Sequence, residues 1–520
     1  MKRQGEHGME KNGYLNDSAL PRAAVGKAGV DPAGMQAFLD YIEREQIRMN
    51  SIMVVRHNAV VYEGYWAPYR AELPHALHSV TKGLVSTAFG LLIAEGKITL
   101  DTKVVPFVPD YEIKADGNWD ALAVRHLLSM SCGHDRAYPF LDREDYQEAF
   151  FAHPLTHEPG TFFCYTNLCT YTLCNILKRL TGQNLQEFLQ ERLLNPMGIR
   201  SFSCGNSPTG VSHGASLGVL ATEDMAKFGL LYLNCGRWGE QQLLPAEWVE
   251  QASAVQIADT VDCDFDDVAD SMQGYGFKIW RCTQPGAYRF YGIFGQHILV
   301  LPEQDAVIVT SGGQTRSDAI LQGVWKYLLP ALRDDCTADE DLAERVENRL
   351  AELQVLRTHG AAESPLAQVW SGKWMNFNEN QDAFLPAWLM ANRAWPRAVA
   401  AYDGVHSCKL DFVGQDLVLT LREGTEENCW KLTLSGECTE VTYRTHVGEY
   451  AVAVWAHWTK PEVLTLEMVY LNYAQHARVE FVFSGEVVRV LLHETPFGEE
   501  YRTKETRLLT ATWTQNEMRI

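Results

Sequence analysis

Over residues 31–44 apolar side chains recur with a helical period. Met35, Phe38, Leu39, Tyr41 and Ile42 form one face, and Asp31, ahead of Pro32, stands as the N-cap. The period then changes: residues 51–65, SIMVVRHNAVVYEGY, predict two strands joined by a turn at His57-Asn58. From Thr81 the helical spacing returns, with Leu84, Ala88, Leu91 and Leu92 at i, i+4, i+7 and i+8 and Gly96 closing the helix. Further helices are predicted over 124–129, 171–180, 185–194, 222–233 and 245–252. Strands follow over 275–281, 298–301 and 306–310, with a closing helix over 317–329. Strands at both ends of a mostly helical middle predict an α+β unit, a mixed antiparallel sheet flanked by helices.

Beyond it lies a charged stretch, 334–357, with Leu342, Val346, Leu350 and Leu353 at helical spacing, read as a connector with a solvated face. Ala361-Ala362-Glu363-Ser364-Pro365 marks a boundary. After it come short alternating or β-branched runs at 410–421, 430–434, 441–443, 450–458, 464–470, 478–483 and 487–492, separated by Gly, Asn, Glu or Pro. They predict an all-β module, a small antiparallel barrel or a sandwich. The organisation read from the sequence is thus a lead-in over 1–30, the α+β unit over 31–333, a charged helical linker over 334–364 and a β domain over 365–520.

Charge narrows the class. Forty-five Lys and Arg against 66 Asp and Glu give a formal charge of −21. Such a balance argues against nucleic acid or an anionic membrane surface, both of which need clustered cations. No apolar run long enough to span a bilayer occurs, and residues 1–30 carry no apolar core of a secretory signal, so a cytoplasmic protein is expected. The 12 cysteines are scattered without a Cys-x-x-Cys pair, as in a reduced protein that uses thiols as small hydrophobes, and no metal or cofactor is called for.

The sharpest chemical feature is Ser79-Val80-Thr81-Lys82, just ahead of an apolar helix, where Ser and Lys three apart share a face. A serine hydroxyl is a poor nucleophile until a base takes its proton, and a lysine desolvated among apolar neighbours can be that base. The Ser-x-x-Lys spacing occurs once in the chain. Tyr-x-Asn occurs at Tyr14, Tyr165, Tyr232 and Tyr470, but only Tyr165 follows a Glu158-Pro159-Gly160-Thr161-Phe162-Phe163 lead-in. A phenol beside Lys82 would pass protons, and Asn167 would bond a substrate amide.

Together Ser79-x-x-Lys82 and Pro159-Gly160-x-x-Phe163-x-Tyr165-x-Asn167 resemble the serine β-lactamase and penicillin-binding-protein superfamily. The likeness is greater to its class C-like branch of esterases, D-aminopeptidases and 6-aminohexanoate-dimer hydrolases. HSVTKGLVSTAFGLLIAEGKITLDTKV, VRHLLSMSCGH, GVLATEDMAKFGLLYLNCG and the strand pair around ILVLPEQDAVIVTSGG support it over about residues 31–332. The resemblance implies a β-lactamase/transpeptidase-like fold with a helical subdomain, Ser79 as nucleophile, and Lys82 and Tyr165 as the proton-transfer pair.

One element departs from the family pattern: no Lys-Thr-Gly exists, and the corresponding stretch is Gly292-Ile293-Phe294-Gly295-Gln296-His297, with Ile293 where a cation would sit. The glycines, Gly292 and Gly295, would let backbone approach the substrate, and the Gln296 N–H would pair with that of Ser79 as an oxyanion hole. The missing cation favours an ester or amide without an obligatory adjacent carboxylate, unless Arg281, Arg289 or His297 substitutes. Gly214-Ala215-Ser216-Leu217-Gly218 matches a nucleophile elbow but follows no core strand. His153 and His157 are separated by a proline and take structural roles, and Asp264, Asp266 and Asp267 lack calcium-loop spacing.

The expectation is a serine hydrolase acting on a small-molecule ester or amide through a Ser79 acyl-enzyme. A D-amino-acid peptidase or amidase, a weak β-lactamase, and an acyl- or peptide-binding sensor without turnover stand as alternatives. The C-terminal β module is left as a cover for the site, a partner surface or an oligomer contact.

Overall fold

The hairpin read at residues 51–65 forms as β1 (Met49–Arg56) and β2 (Ala59–Tyr65). Its turn residues His57 and Asn58 both have positive φ, 51° and 62°, the backbone twist that two-residue hairpins require. The computed structural model describes residues 19–381, 405–495 and 507–513, except 114, 141, 142, 144, 261–268, 316, 317, 337, 338, 446 and 447. Four later strands, β3 (Trp280–Arg281), β4 (Tyr288–Gly292), β5 (Gln296–Leu301) and β6 (Ala306–Gly312), join the hairpin in a six-stranded antiparallel sheet ordered β2-β1-β6-β5-β4-β3.

Alternation sends successive side chains of this sheet to two different cores. Leu299, Leu301, Ala306 and Ile308 share one with α1 (Pro32–Arg44), whose N-cap Asp31 accepts the Ala33 N–H at 3.0 Å. Ile298, Val300, Val307 and Val309 share the other with α2 (Thr81–Ala94), α3 (Asn167–Thr181) and α4 (Thr222–Leu233). Every residue of α2 from Thr81 to Leu92 is buried, so this helix is the hub of the helical half.

Two expectations change here. The strand predicted over 275–281 shrinks to β3, because Lys278 adopts φ 64° and breaks the extended run. β4 was not legible, since buried Arg289 interrupts its apolar run. The lead-in before residue 19 and the acidic trio Asp264, Asp266 and Asp267 lie outside the described residues.

The charged stretch folds as α5 (Glu340–Ala351), with Val346 and Leu350 buried in the core that α1 shares and Arg349 paired with Asp40 and Glu43 of α1. Next come β7 (Trp374–Gln381), β8 (Val405–Val413), β9 (Asp416–Glu423), β10 (Glu426–Thr433) and β11 (Thr439–Thr445). They continue as β12 (Gly448–Lys460), β13 (Val463–Tyr470), β14 (His476–Ser484), β15 (Val487–Thr495) and β16 (Arg507–Trp513). All belong to one ten-stranded antiparallel sheet, ordered β10-β9-β8-β7-β16-β15-β14-β13-β12-β11.

Among the described residues the edge strands β10 and β11 share no backbone ladder. Asn428 and Trp430 of β10 instead reach the Arg444 and Thr442 carbonyls with side-chain N–H groups, at 2.8 and 3.3 Å. The ten strands thus form one sheet whose edges meet through side chains, without the continuous ladder of a closed barrel. The single run expected over 410–421 is a hairpin, turned at Gly414 with φ 62°.

The tip between β13 and β14 meets the segment 69–76 that leads into α2. The Ala76 N–H donates to the Asn472 carbonyl at 2.8 Å, and Asn472 Nδ2 donates to the Pro74 carbonyl at 2.7 Å. The Tyr69 hydroxyl donates to the Tyr473 carbonyl at 2.8 Å.

Candidate active site

Ser79 sits in a single 3₁₀ turn, His78–Val80, that runs directly into α2. The helix start brings its partial positive charge to this serine. Lys82, one turn later, donates from Nζ to Ser79 Oγ at 2.8 Å and to the Ala215 carbonyl at 2.7 Å. Its side chain is 1% exposed. Burial, reinforced by the nearby Lys278 ammonium, holds its pKa well below the ordinary lysine value. A proton-free amine within hydrogen-bond reach of a serine hydroxyl is the arrangement a general base needs.

Tyr165 closes a second side, its ring centroid 5.0 Å from Lys82 Nζ. The segment that carries it is fixed by the Cys164 N–H, which donates to the Met130 carbonyl at 2.8 Å. Tyr275 and Trp280 stand against its ring at centroid distances of 6.2 and 5.5 Å, so these buried aromatics form the back wall of the phenol. Asn167 is half-buried as the first residue of α3, whose N-cap Thr166 accepts the Leu168 N–H. Of the other Tyr-x-Asn tripeptides, Tyr232 is buried in α4 and bonded to Thr87, and Tyr470 is buried in β13. Tyr14 lies outside the described residues.

In the β4–β5 turn the two glycines face different ways. Gly292 faces Ser79: a Cβ there would lie 2.3 Å from the Leu77 carbonyl oxygen and 3.1 Å from the Ser79 nitrogen. Gly295 points elsewhere, since a Cβ on it would lie 2.4 Å from Ile320 Cδ1, and its carbonyl accepts from Thr310 Oγ1. Gln296 pairs in register with Gly292, and its side-chain amide is occupied by the Ile293 and Gly312 carbonyls at 3.1 and 2.9 Å. His297 stacks on its register partner Tyr291, and alternation puts it on the face of β5 that carries Leu299 and Leu301.

The possible substitute cations are also committed. Arg281 donates to the Ser253 carbonyl, and buried Arg289 to those of Asp270 and Arg281. Ser216 has His213 Nδ1 at 3.4 Å, and His213 is held down to about 3 by burial and by Lys82. Its segment enters the site through the Ala215 carbonyl. His153 and His157 stack on Tyr138 and Phe162.

Three site features escaped the sequence reading. The Ala215 carbonyl is main chain and carries no residue signal. Gly292 was read within its motif, but only the 292↔296 register tells which glycine faces Ser79. Lys278 stood in a predicted strand with no pattern to mark it.

The sequence model of a family described as Beta-lactamase matches residues 35–319. The chain belongs to the beta-lactamase family. Its fold is accordingly β-lactamase/transpeptidase-like, as the resemblance implied, followed by the all-β region that the strand pattern predicted. A 6-aminohexanoate-dimer hydrolase of Paenarthrobacter ureafaciens is 28% identical over 326 residues, 56% of this chain and 81% of that one. Esterase EstB of Burkholderia gladioli is 26% identical over 209 residues, 34% of this chain and 53% of its own. A penicillin-binding-protein homologue from Caulobacter crescentus is similar in structure, with TM-score 0.46 and 17% identity, covering 58% of this chain and 99% of that one. Members of this beta-lactamase family are thus named as hydrolases and esterases. Among the described residues no helix is long and apolar enough to cross a membrane.

Proposed function

We propose that the protein is a serine hydrolase that cleaves a small-molecule ester or amide through an acyl-enzyme on Ser79. The observation that carries this reading is the 2.8 Å contact between buried Lys82 Nζ and Ser79 Oγ. In the proposed cycle Ser79 Oγ attacks the substrate carbonyl as its proton passes to Lys82 Nζ. The tetrahedral oxyanion is received by the Ser79 N–H and a second N–H, that of Gln296, beside Gly292. Its collapse breaks the bond to the leaving group, which takes a proton relayed from Lys82 by Tyr165. Water, deprotonated by the same pair, then releases the acid and returns the proton to Ser79. Asn167 is the proposed donor to the substrate's acyl side.

The absence of Lys-Thr-Gly and the engagement of Arg281 and Arg289 with main-chain carbonyls favour a substrate without an obligatory carboxylate next to the scissile bond. The names of the relatives, an esterase and an amide-dimer hydrolase, are compatible with that chemistry. A cytoplasmic setting is part of the same proposal.

The test is intact-mass spectrometry after a fluorophosphonate probe, alongside turnover of p-nitrophenyl acetate and butyrate, on wild type and Ser79→Ala. The expected result is one adduct and measurable turnover in the wild type, both lost in Ser79→Ala. An adduct that persists in Ser79→Ala overturns the assignment, and an adduct without turnover moves the reading to a binding protein.

A further inference from the structure

The tip between β13 and β14 touches both of the segments that carry the proposed oxyanion donors. On one side it holds the chain that leads to Ser79. The Asn472 carbonyl accepts the Ala76 N–H at 2.8 Å, and Asn472 Nδ2 donates to the Pro74 carbonyl at 2.7 Å. His75 Nδ1 lies 3.1 Å from the Ala76 carbonyl, so both polar groups of Ala76 are engaged. The next residue, Leu77, donates its N–H to the Gly218 carbonyl and turns its own carbonyl toward Gly292. His78 then takes left-handed backbone, φ 46°, directly before Ser79. Such a residue persists only where its surroundings hold it, and the tip is part of those surroundings.

On the other side the tip rests against the end of β6. A Cβ at Gly313 would lie 2.4 Å from the Ala474 carbonyl oxygen, and the three atoms nearest to it all belong to Ala474. Only a glycine permits that approach. The residues flanking Gly313 in turn hold the β4–β5 turn. Gln296 Nε2 donates to the Gly312 carbonyl at 2.9 Å, and the Gln314 N–H donates to the Phe294 carbonyl at 3.2 Å. The tip is itself tied down, with the Tyr470 and Tyr473 N–H groups donating to the Gln475 and Tyr470 carbonyls and the Leu471 N–H to the Ala451 carbonyl of β12. One braced hairpin end thus spans from the segment before Ser79 to the strand end that holds Gln296.

We propose that this tip is a positioning element of the active site, in which Asn472 and Ala474 set the separation of the Ser79 and Gln296 N–H groups that receive the oxyanion. This inference rests on the Ser79 acyl-enzyme reading. Oxyanion donors act on charge that develops only in the transition state, so a change in their spacing lowers kcat and leaves ground-state binding nearly untouched. The all-β region then serves the reaction through two backbone contacts, without lending a side chain to the substrate.

The experiment compares wild type, Gly313→Ala and Asn472→Ala well below their melting temperatures. It reads kcat and KM for p-nitrophenyl butyrate and the inhibition constant of phenylboronic acid, whose boron bonds to Ser79 Oγ and sets an oxygen where the oxyanion forms. The Gly313→Ala methyl pushes the Ala474 carbonyl off β6, so kcat should fall by about tenfold or more with KM within about twofold of wild type. Phenylboronic acid should bind more weakly by a similar factor, and Asn472→Ala should move all three constants the same way by less. Contacts that serve stability alone would lower the melting temperature and leave the three constants at wild-type values, and that result overturns the proposal. A fall in kcat with unchanged phenylboronate affinity overturns it as well. If Gly313→Ala loses its near-UV circular dichroism, Asn472→Ala, which adds no atom, decides. A Ser79→Ala variant with full turnover overturns instead the reading on which the proposal rests.

Discussion

Lys82 is where solvation and chemistry meet. The burial that disfavours its ammonium also makes the amine a better base, so under the proposed mechanism Ser79-dependent turnover should fall on acidification as Lys82 gains a proton. Lys82→Met should lower kcat/KM by about 10²–10⁴-fold, the usual worth of a positioned general base, with little change in melting temperature. Gly292→Ala tests the other wall. Its new methyl meets the Leu77 carbonyl and the Ser79 nitrogen, so kcat/KM for p-nitrophenyl butyrate should drop at least about tenfold, about 1.4 kcal/mol of transition-state stabilisation. The Ser79, Lys82 and Tyr165 cluster was legible because its spacing is local or its lead-in distinctive. Gly292, Gly295 and His297 were not separable, because their facing depends on a register that only the assembled β4–β5 pair defines.

Among elements, the central sheet is held at the site end by a side chain. Gln296 at the start of β5 donates to the Gly312 carbonyl at the end of β6 and accepts the Gly312 N–H. Gln296→Ala leaves buried backbone groups unpaired and should cost about 1–3 kcal/mol in denaturant unfolding. α4 was readable because its apolar period is clean and tertiary packing agrees with it. β7 was not anticipated, since Asn376, Asn378, Glu379 and Asn380 leave no β-branched or alternating run to mark it. The strand 275–281 was over-read because composition does not announce a left-handed Lys278.

Across the whole molecule, the two sheets meet through a polar seam. His75, adjoining the Ala76–Asn472 bond, is held down to about 4 by burial, and His476, within reach of the Tyr69 hydroxyl, to about 3. Unfolded histidines titrate near 6.5, so between that pH and about 4 the unfolded chain binds more protons than the folded one. Stability contributed by these neutral rings is complete above pH 6.5 and lost as pH falls. The melting temperature should decline over that window, and less so in a His476→Phe variant. Asn472→Ala removes the bond to Pro74 and should destabilise by about 1 kcal/mol in thermal unfolding. The seam was beyond the sequence reading, since Tyr470-Leu471-Asn472 looked like core strand and its partner lies 398 positions away.

That separation also has a meaning in time. A chain emerging from the ribosome makes Ser79, Lys82 and Tyr165 early, yet Pro74 stays without its Asn472 partner until 398 further positions have been added. The proposed nucleophile is therefore translated long before the clasp that steadies the segment leading to it.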